Sequence, residues 1–201
     1  MSIPAMSRET PASERMRSPL IIGASVSAGF GTLSPGDRLS RRFTSPQHIR
    51  NVARSGRPAR DHLPLLQPDL LRDRTIVIAM DYLFWDSTLP DIGPSVRALD
   101  RLMELANARG IPLVLGDIPA LLPSLQTQRV TLNEIIHKKC RNESHCHLLR
   151  LDELHQKVKR DGYLEIKAKR YTFSELVPDG LHLVEVASEF LADYIYALPV
   201  T

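Results

Sequence analysis

The alternation of apolar and mixed segments along the chain predicts an α/β protein. Short runs that are apolar throughout have the length of strands, and the longer segments between them carry apolar residues every three or four positions. Strands that are apolar on both faces are typical of a buried parallel sheet. Four strands are predicted, at residues 19–22, 76–80, 111–116 and 147–151.

The intervening segments predict amphipathic helices. Residues 94–109 place apolar side chains on one helical face and are followed by Gly110, a residue that favours a helix C-terminus. A second helix is predicted over residues 132–139, and a last one begins near Leu183. Strands that alternate with helices indicate βαβ units and a parallel sheet, and therefore one doubly wound domain.

The composition fits a single globular domain. The chain has 201 residues, of which 43% are hydrophobic and 24% are charged. Residues 1–17 are polar and mixed in charge, which predicts a flexible N-terminal tail before one domain at residues 18–201. No apolar stretch approaches the roughly 20 residues that cross a bilayer, and no basic start leads into an apolar segment as in a secretory signal. A cytoplasmic location is therefore expected.

The charge does not indicate a nucleic-acid partner. The net charge is only +3, and aromatic residues are not interleaved with basic ones. Arginines are instead concentrated early in the chain, at Arg41, Arg42, Arg50, Arg54, Arg57 and Arg60. This concentration has two interpretations, a solvated surface rich in arginine or the rim of a site for an anionic substrate.

The two cysteines lie in a short segment that also holds three histidines. Zinc binds these residue types, but the interval between Cys140 and Cys146 is not a usual zinc-site spacing. The segment also crosses from a predicted helix to a predicted strand, where neighbouring side chains point to opposite faces. We therefore interpret His137, His145 and His147 as packing and surface residues and expect no metal. Two cysteines suit a reducing compartment and define no disulfide framework.

A turn of small residues follows the first predicted strand and contains Ser25. An α/β protein brings such a hydroxyl to the carboxyl end of a strand, beside the start of the next helix. There the side chain can act as a nucleophile, because nearby amides can stabilise an oxyanion. A phosphate-binding loop or a helix cap would use a similar turn. The Gly-x-Gly-x-x-Gly pattern and the lysine of nucleotide-binding loops are missing, however.

A second candidate site precedes the last predicted helix. Pro178, Asp179 and Gly180 form a turn signal that sets Asp179 and His182 three residues apart. At this spacing the carboxylate can accept a hydrogen bond from one imidazole nitrogen while the other nitrogen faces a cleft, as a general base requires. An acidic residue that simply favours a helix N-terminus is the alternative interpretation.

Together these two segments resemble the first and last blocks of the SGNH/GDSL hydrolase family. The matching residues are Gly23-Ala24-Ser25, Ser27-Ala28-Gly29 and Asp179-Gly180-Leu181-His182, in the family's order and spanning most of the chain. The resemblance implies a three-layer α/β/α, flavodoxin-like domain with a central parallel sheet of about five strands. It also implies hydrolysis of esters or thioesters, or acyl transfer, without a cofactor. Ser25 matches the nucleophile, His182 the general base and Asp179 its orienting acid.

The two middle blocks of the family are matched unequally. Residues 51–56 resemble the second block, whose glycine amide joins the oxyanion hole, and this implies that role for Gly56 beside the amide of Ser25. The third block departs, because Asp81 stands where the family has an asparagine that donates to the oxyanion. An ionised carboxylate only accepts hydrogen bonds. Ala24 also replaces the family's first-block aspartate. A binding protein or a weak hydrolase of the same fold therefore stays an alternative.

An aromatic cluster follows the strand at residues 76–80. Tyr82, Phe84 and Trp85 stand where ligands bind at the edge of such sheets, so they are either a substrate platform or part of the core. Arg57 adjoins Gly56 and is the candidate contact for an anionic substrate. The expected partner is thus a small acyl ester or thioester.

Overall fold

The computed structural model of the protein describes residues 12–122 and 126–198. Its α-helices are α1 Ala12–Arg15, α2 Pro35–Ser40, α3 Gly93–Asn107, α4 Gln126–Asn142, α5 Leu151–Asp161, α6 Phe173–Leu176 and α7 Glu185–Tyr196. Its strands are β1 Pro19–Ile21, β2 Arg50–Asn51, β3 Ile76–Ala79, β4 Leu113–Gly116, β5 Cys146–Leu149, β6 Leu164–Ile166 and β7 Lys169–Tyr171. Short 3-10 helices cover Pro46–His48, Ala59–Leu65, Pro68–Leu71 and Trp85–Thr88.

Five strands form a parallel sheet in the order β2-β1-β3-β4-β5. Leu20 of β1 is in register with Val77 of β3, and Ile78 of β3 is in register with Val114 of β4. Strand β2 lies on one side of β1, and β3, β4 and β5 lie on the other side. In open α/β sheets, ligands bind at the carboxyl ends of the strands where the order reverses in this way.

Helices cover both faces of the sheet, as the apolar runs predict. Leu20, Val77 and Leu113 point to one face and pack in a core with residues of α3 and α4. Ile21, Ile78 and Val114 point to the other face and pack with residues of α2, α5 and α7. The prediction of a three-layer α/β/α domain with a five-stranded parallel sheet is confirmed.

Some boundaries differ from the sequence expectations, among them those at Leu151 and at the N-terminal tail. The pattern assigned Leu151 to a strand, whereas it begins α5, and the antiparallel pair β6–β7 follows. The predicted flexible tail also extends too far, because Met16 is 4% exposed and belongs to the core cluster that includes residues of α7. Residues 1–11 of that tail lie outside the described residues.

Cys140 and Cys146 are joined by a disulfide, so the expectation of cysteines without one is wrong. Cys140 lies in the last turn of α4, and Cys146 begins β5 directly after a turn closed by a hydrogen bond from its N–H to Glu143 O. The tight reversal brings the two side chains together. His137 points elsewhere and pairs with Asp117 at 2.8 Å.

The described residues hold neither a cluster of metal-binding side chains nor a membrane-spanning helix. They contain no group of three or more histidine, cysteine or acidic side chains able to hold a metal ion. None of their helices has the length and apolar character needed to span a membrane.

Candidate active site

The loop after β1 carries Ser25 at the carboxyl edge of the sheet. The N–H of Ala28 bonds to Ala24 O and that of Phe30 bonds to Ser25 O, so the loop winds through a helical turn around the serine. Gly23 begins this turn, and a Cβ there would lie 2.2 Å from a carboxylate oxygen of Asp81. Only glycine fits this close approach, which explains the glycine two positions before Ser25.

Ser25, His182 and Asp179 form a continuous chain of hydrogen bonds. The Oγ of Ser25 lies 3.1 Å from Nε2 of His182, and Nδ1 of His182 lies 2.6 Å from Oδ2 of Asp179. Ser25 is 8% exposed, whereas the Asp179 side chain is 54% exposed. The structure thus brings together the three residues that the two sequence motifs singled out.

The turn before α7 fixes the position of the imidazole. Oδ1 of Asp179 accepts the backbone N–H groups of Leu181 and His182 at 2.9 and 2.7 Å. The His182 N–H foremost, then its imidazole, and then the Leu181 N–H hold the pKa of Asp179 well below its usual range. The carboxylate therefore stays ionised at neutral pH and orients Nε2 of His182 towards Ser25.

Charged side chains clamp α7 onto α2 and so join the two halves of the site. Arg42 pairs with Glu189 and Asp193, each at 2.6 Å. Nε of Arg38 donates to Ser188 Oγ at 3.1 Å, and its guanidinium also pairs with Glu185 at 3.2 Å. Because α7 starts three residues after His182, these contacts hold the imidazole beside the serine loop.

Asp81 anchors the serine loop as a hydrogen-bond acceptor. Oδ1 accepts the N–H of Ala24 at 2.9 Å and also the hydroxyl of Ser27. Oδ2 accepts the N–H of Val26 at 2.9 Å and the N–H of Ser27 at 3.3 Å. Four donors therefore converge on this carboxylate, and we assign Asp81 no donor role towards an oxyanion.

Two backbone amides remain as candidate oxyanion donors. The N–H groups of Ser25 and Gly56 have no hydrogen-bond acceptor among the described residues. Gly56 lies in an exposed turn closed by a hydrogen bond from Arg57 N to Arg54 O. Arg54 N in turn bonds to Gly23 O at 2.9 Å, which ties this turn to the loop that carries the serine.

An apolar cavity of about 130 Å³ opens beside Ser25. Its walls come from the carboxyl ends of β3 and β4 and from α5, α6 and α7. The lining includes Trp85, Ile118, Leu154, His155, Phe173 and Phe190. Asp81 also borders it, close to the serine. His155 is 8% exposed, and its burial lowers the pKa of the imidazole, which favours the neutral form.

Two of the predicted substrate contacts lie elsewhere. Tyr82 is 0% exposed and its hydroxyl donates to Ala98 O, so it is a core residue and not a platform. Arg57 has a side chain that is 63% exposed, pairs with Asp61 at 3.5 Å and does not line the cavity. Trp85 does line it.

Sequence reasoning missed two residues around the serine. The side-chain amide of Asn51 donates to Ser27 O at 2.8 Å and to Asp37 at 3.0 Å, which ties β2 to the loop. The ring of Phe30 lies against that of His182, with 4.4 Å between the centroids. Its position between Gly29 and Gly31 was the available signal, since such a segment can place an aromatic ring outside the core.

Comparison by sequence gives no match, either to a family model or to a curated protein. Solved structures do match. An esterase from Pseudoalteromonas sp., determined in a form inhibited by monoethylphosphonate, has a TM-score of 0.63 at 16% identity over 90% of this chain and 94% of its own. A protein of the G-D-S-L lipolytic family from Desulfitobacterium hafniense has a TM-score of 0.66 at 12% identity, covering 89% and 97%.

A third match is a lipase/acylhydrolase from Enterococcus faecalis. Its TM-score is 0.59 at 18% identity, and the match covers 92% of this chain and 98% of that one. The three likenesses span nearly the whole of each chain. At these identities they establish a common fold.

Proposed function

The chain has the fold of the SGNH/GDSL hydrolases, and we propose that it is a serine hydrolase that cleaves carboxylic esters or thioesters. The observation that carries the proposal is the hydrogen-bonded chain from Ser25 through His182 to Asp179. A hydroxyl, an imidazole and an ionised carboxylate in this order are the parts of a nucleophile with its base and orienting acid.

Acylation begins when Nε2 of His182 accepts the proton of the Ser25 hydroxyl as Oγ attacks the substrate carbonyl. Asp179 stays ionised throughout and stabilises the imidazolium that forms. The negative charge on the carbonyl oxygen is stabilised by the amides of Ser25 and Gly56. Collapse of this intermediate breaks the bond to the leaving oxygen or sulfur, which takes the proton from Nε2 of His182.

Deacylation repeats these steps with water in place of serine. His182 accepts a proton from the water, the hydroxide attacks the acyl-enzyme, and Ser25 leaves with the proton returned by His182. An alcohol in place of water would give acyl transfer by the same residues.

The cavity beside Ser25 favours an apolar acyl group. An engineered apolar cavity of about 150 Å³ holds a benzene molecule, so a space of this order accepts a small hydrocarbon chain. Asp81 borders the cavity with a negative charge, whereas Arg57 lies outside it. These positions disfavour an acyl group that carries a second carboxylate and do not support the preference for anionic substrates that the early arginines suggest.

A weak hydrolase is the second candidate, and the role of Asp81 favours it. Its carboxylate accepts hydrogen bonds from the serine loop and donates none, so only two backbone amides are left as donors to the oxyanion. Loss of one oxyanion donor typically costs about 2.7–4 kcal/mol of transition-state stabilisation. Slow turnover with normal labelling of the serine would identify this case.

The test is the Ser25→Ala variant, assayed on p-nitrophenyl butyrate and with a fluorophosphonate probe. We expect loss of both hydrolysis and labelling, because both need the Oγ nucleophile. Ser174→Ala is the matched control, since Ser174 is exposed on α6 and lies outside the cavity lining. Full activity of Ser25→Ala would reject the proposal.

The cytoplasmic location remains a prediction, and the disulfide provides its test. Structural disulfides persist in oxidising compartments and are reduced in the cytoplasm. Trapping of free thiols in intact cells, followed by mass spectrometry, reports the state of Cys140 and Cys146. Labelled thiols support the cytoplasm, and an intact disulfide supports an oxidising compartment.

A further inference from the structure

Phe30 is an exposed aromatic residue in contact with the imidazole of His182. Its relative exposure is 56%, although its ring lies 4.4 Å from the imidazole centroid at an angle of 37°. A phenyl ring left in water forgoes the free energy that burial in the core would provide. The ring therefore neither packs in the core nor favours solubility. Its position beside the proposed base suggests that it contacts the substrate.

The backbone holds Phe30 in this place. The residues on either side, Gly29 and Gly31, have φ values of 79° and 77°, a region that residues other than glycine rarely adopt. The N–H of Phe30 also bonds to Ser25 O at 3.0 Å, within the serine loop itself. The backbone of Phe30 is thus tied to the loop that carries the nucleophile, and its ring lies against the imidazole.

The two sides of Ser25 differ in character. Among the described residues, Ser25 lines the apolar cavity, whereas His182 and Phe30 do not. A general acid must reach the leaving atom within about 2.6–3.2 Å, so the leaving group of an ester lies next to Nε2 of His182. The acyl group then occupies the cavity, and the alcohol part of the ester lies on the side of His182 and Phe30.

We propose that Phe30 forms the wall of a leaving-group subsite that selects esters of aromatic alcohols. This inference rests on the proposed hydrolase function. A flat apolar alcohol can pack against the exposed face of the phenyl ring, whereas a short alkyl alcohol covers little of it. Aromatic pairs gain free energy beyond the area they bury, which corresponds to roughly a 3- to 10-fold preference.

The test compares benzyl butyrate with ethyl butyrate, which share one acyl group and have leaving alkoxides of similar basicity. The measured quantity is the ratio of kcat/KM for the benzyl ester to kcat/KM for the ethyl ester. We expect Phe30→Ala to lower this ratio roughly 3- to 10-fold. Phe30→Leu, which keeps apolar bulk without a flat face, lowers it too, and Phe30→Trp preserves it.

A merely structural role for Phe30 predicts a different result. If the ring only held His182 in place, both esters would slow together and the ratio would stay constant, which overturns the inference. Tyr196→Ala is the control, because Tyr196 is 49% exposed but stacks on Phe43, away from His182. If Ser25→Ala hydrolysed these esters as fast as the wild type, both this inference and the function on which it rests would be rejected. Normal Ser25-dependent hydrolysis with an unchanged ratio would reject the inference alone.

Discussion

The carboxylate of Asp81 accepts the backbone N–H of Ala24, the residue immediately before Ser25, at 2.9 Å. In the family that the motifs resemble, an aspartate stands at the position of Ala24 and an asparagine at that of Asp81. In this chain the aspartate is therefore absent from the serine loop, and an aspartate stands instead just after β3. The Asp81 carboxylate accepts the amides on both sides of Ser25, those of Ala24 and Val26, while the Ser25 amide has no acceptor among the described residues.

The first prediction concerns this anchor. Asp81→Asn keeps the shape but replaces one acceptor oxygen by an NH₂ group, which faces N–H donors of the loop. We expect the free energy of unfolding to fall by about 1–3 kcal/mol, the cost of buried donors left without an acceptor. Urea denaturation measures it. The control is Asp73→Asn, an exposed position with a φ of 59° that asparagine tolerates. Equal stability of Asp81→Asn and wild type would contradict the anchoring role.

The second prediction concerns the orienting acid and its pH dependence. Hydrogen bonds from His182 and Leu181 lower the pKa of Asp179. The stability that the ionised carboxylate contributes is therefore fully present above the ordinary aspartate pKa of about 3.9, and it is lost only as the pH falls through the lowered pKa. The Asp179 carboxylate is then ionised wherever activity is measured near neutrality. Asp179→Asn should therefore lower kcat roughly 10²- to 10⁴-fold across that range.

The matched control for this variant is Asp161→Asn. Asp161 is exposed as well, and its pKa is also lowered, chiefly by a hydrogen bond from Lys157, but it lies at the end of α5. Its kcat should equal that of the wild type. A variant whose kcat equals that of the wild type near neutrality, and falls below it only at higher pH, would contradict the assignment, because it would indicate an aspartate that is still protonated near neutrality.

The third prediction concerns the clamp between α2 and α7. Arg38→Met removes hydrogen bonds to Ser188 Oγ and to Thr32 Oγ1 from a guanidinium that is only 14% exposed. We expect a loss of about 1–3 kcal/mol in the free energy of unfolding and a lower kcat/KM, since α7 carries His182 towards Ser25. Arg72→Met is the control, because the exposed pair of Arg72 with Asp69 contributes little. Unaltered kcat/KM would show that the turn alone positions the imidazole.

The fourth prediction concerns the disulfide. Replacement of Cys140 and Cys146 by serine opens a loop with a sequence separation of 6, which should lower the free energy of unfolding by about 2 kcal/mol. Neither cysteine lines the cavity, so kcat/KM at temperatures well below Tm should not change. Wild-type protein treated with a reductant should match the variant. A variant that loses activity before it loses structure would point to a role of this bridge in the site.

The sequence predicts those features that depend on short segments. The buried strands follow from apolar runs such as residues 76–80, and the pairing of Asp179 with His182 follows from one turn. The acceptor role of Asp81 also follows from residue type alone, because an ionised carboxylate has no hydrogen to donate.

Features that depend on distant segments were not predictable. The cavity collects side chains from α5, α6 and α7, and no single segment signals that Leu154 and Phe190 line the same cavity. Tyr82 follows a strand end as a ligand-binding aromatic would, yet the packing of α3 places its ring in the core. The disulfide depends on how tightly the chain reverses between α4 and β5, which spacing alone does not determine.

The separation of Ser25 and His182 by 157 positions has a consequence for the synthesis of this protein. A ribosome releases the serine loop early, whereas the imidazole, its carboxylate and α7 follow more than 150 residues later. An incomplete chain therefore exposes a serine without its base. A chain that ends before residue 179 should be inert towards esters, because it holds Ser25 without the proposed base and its carboxylate.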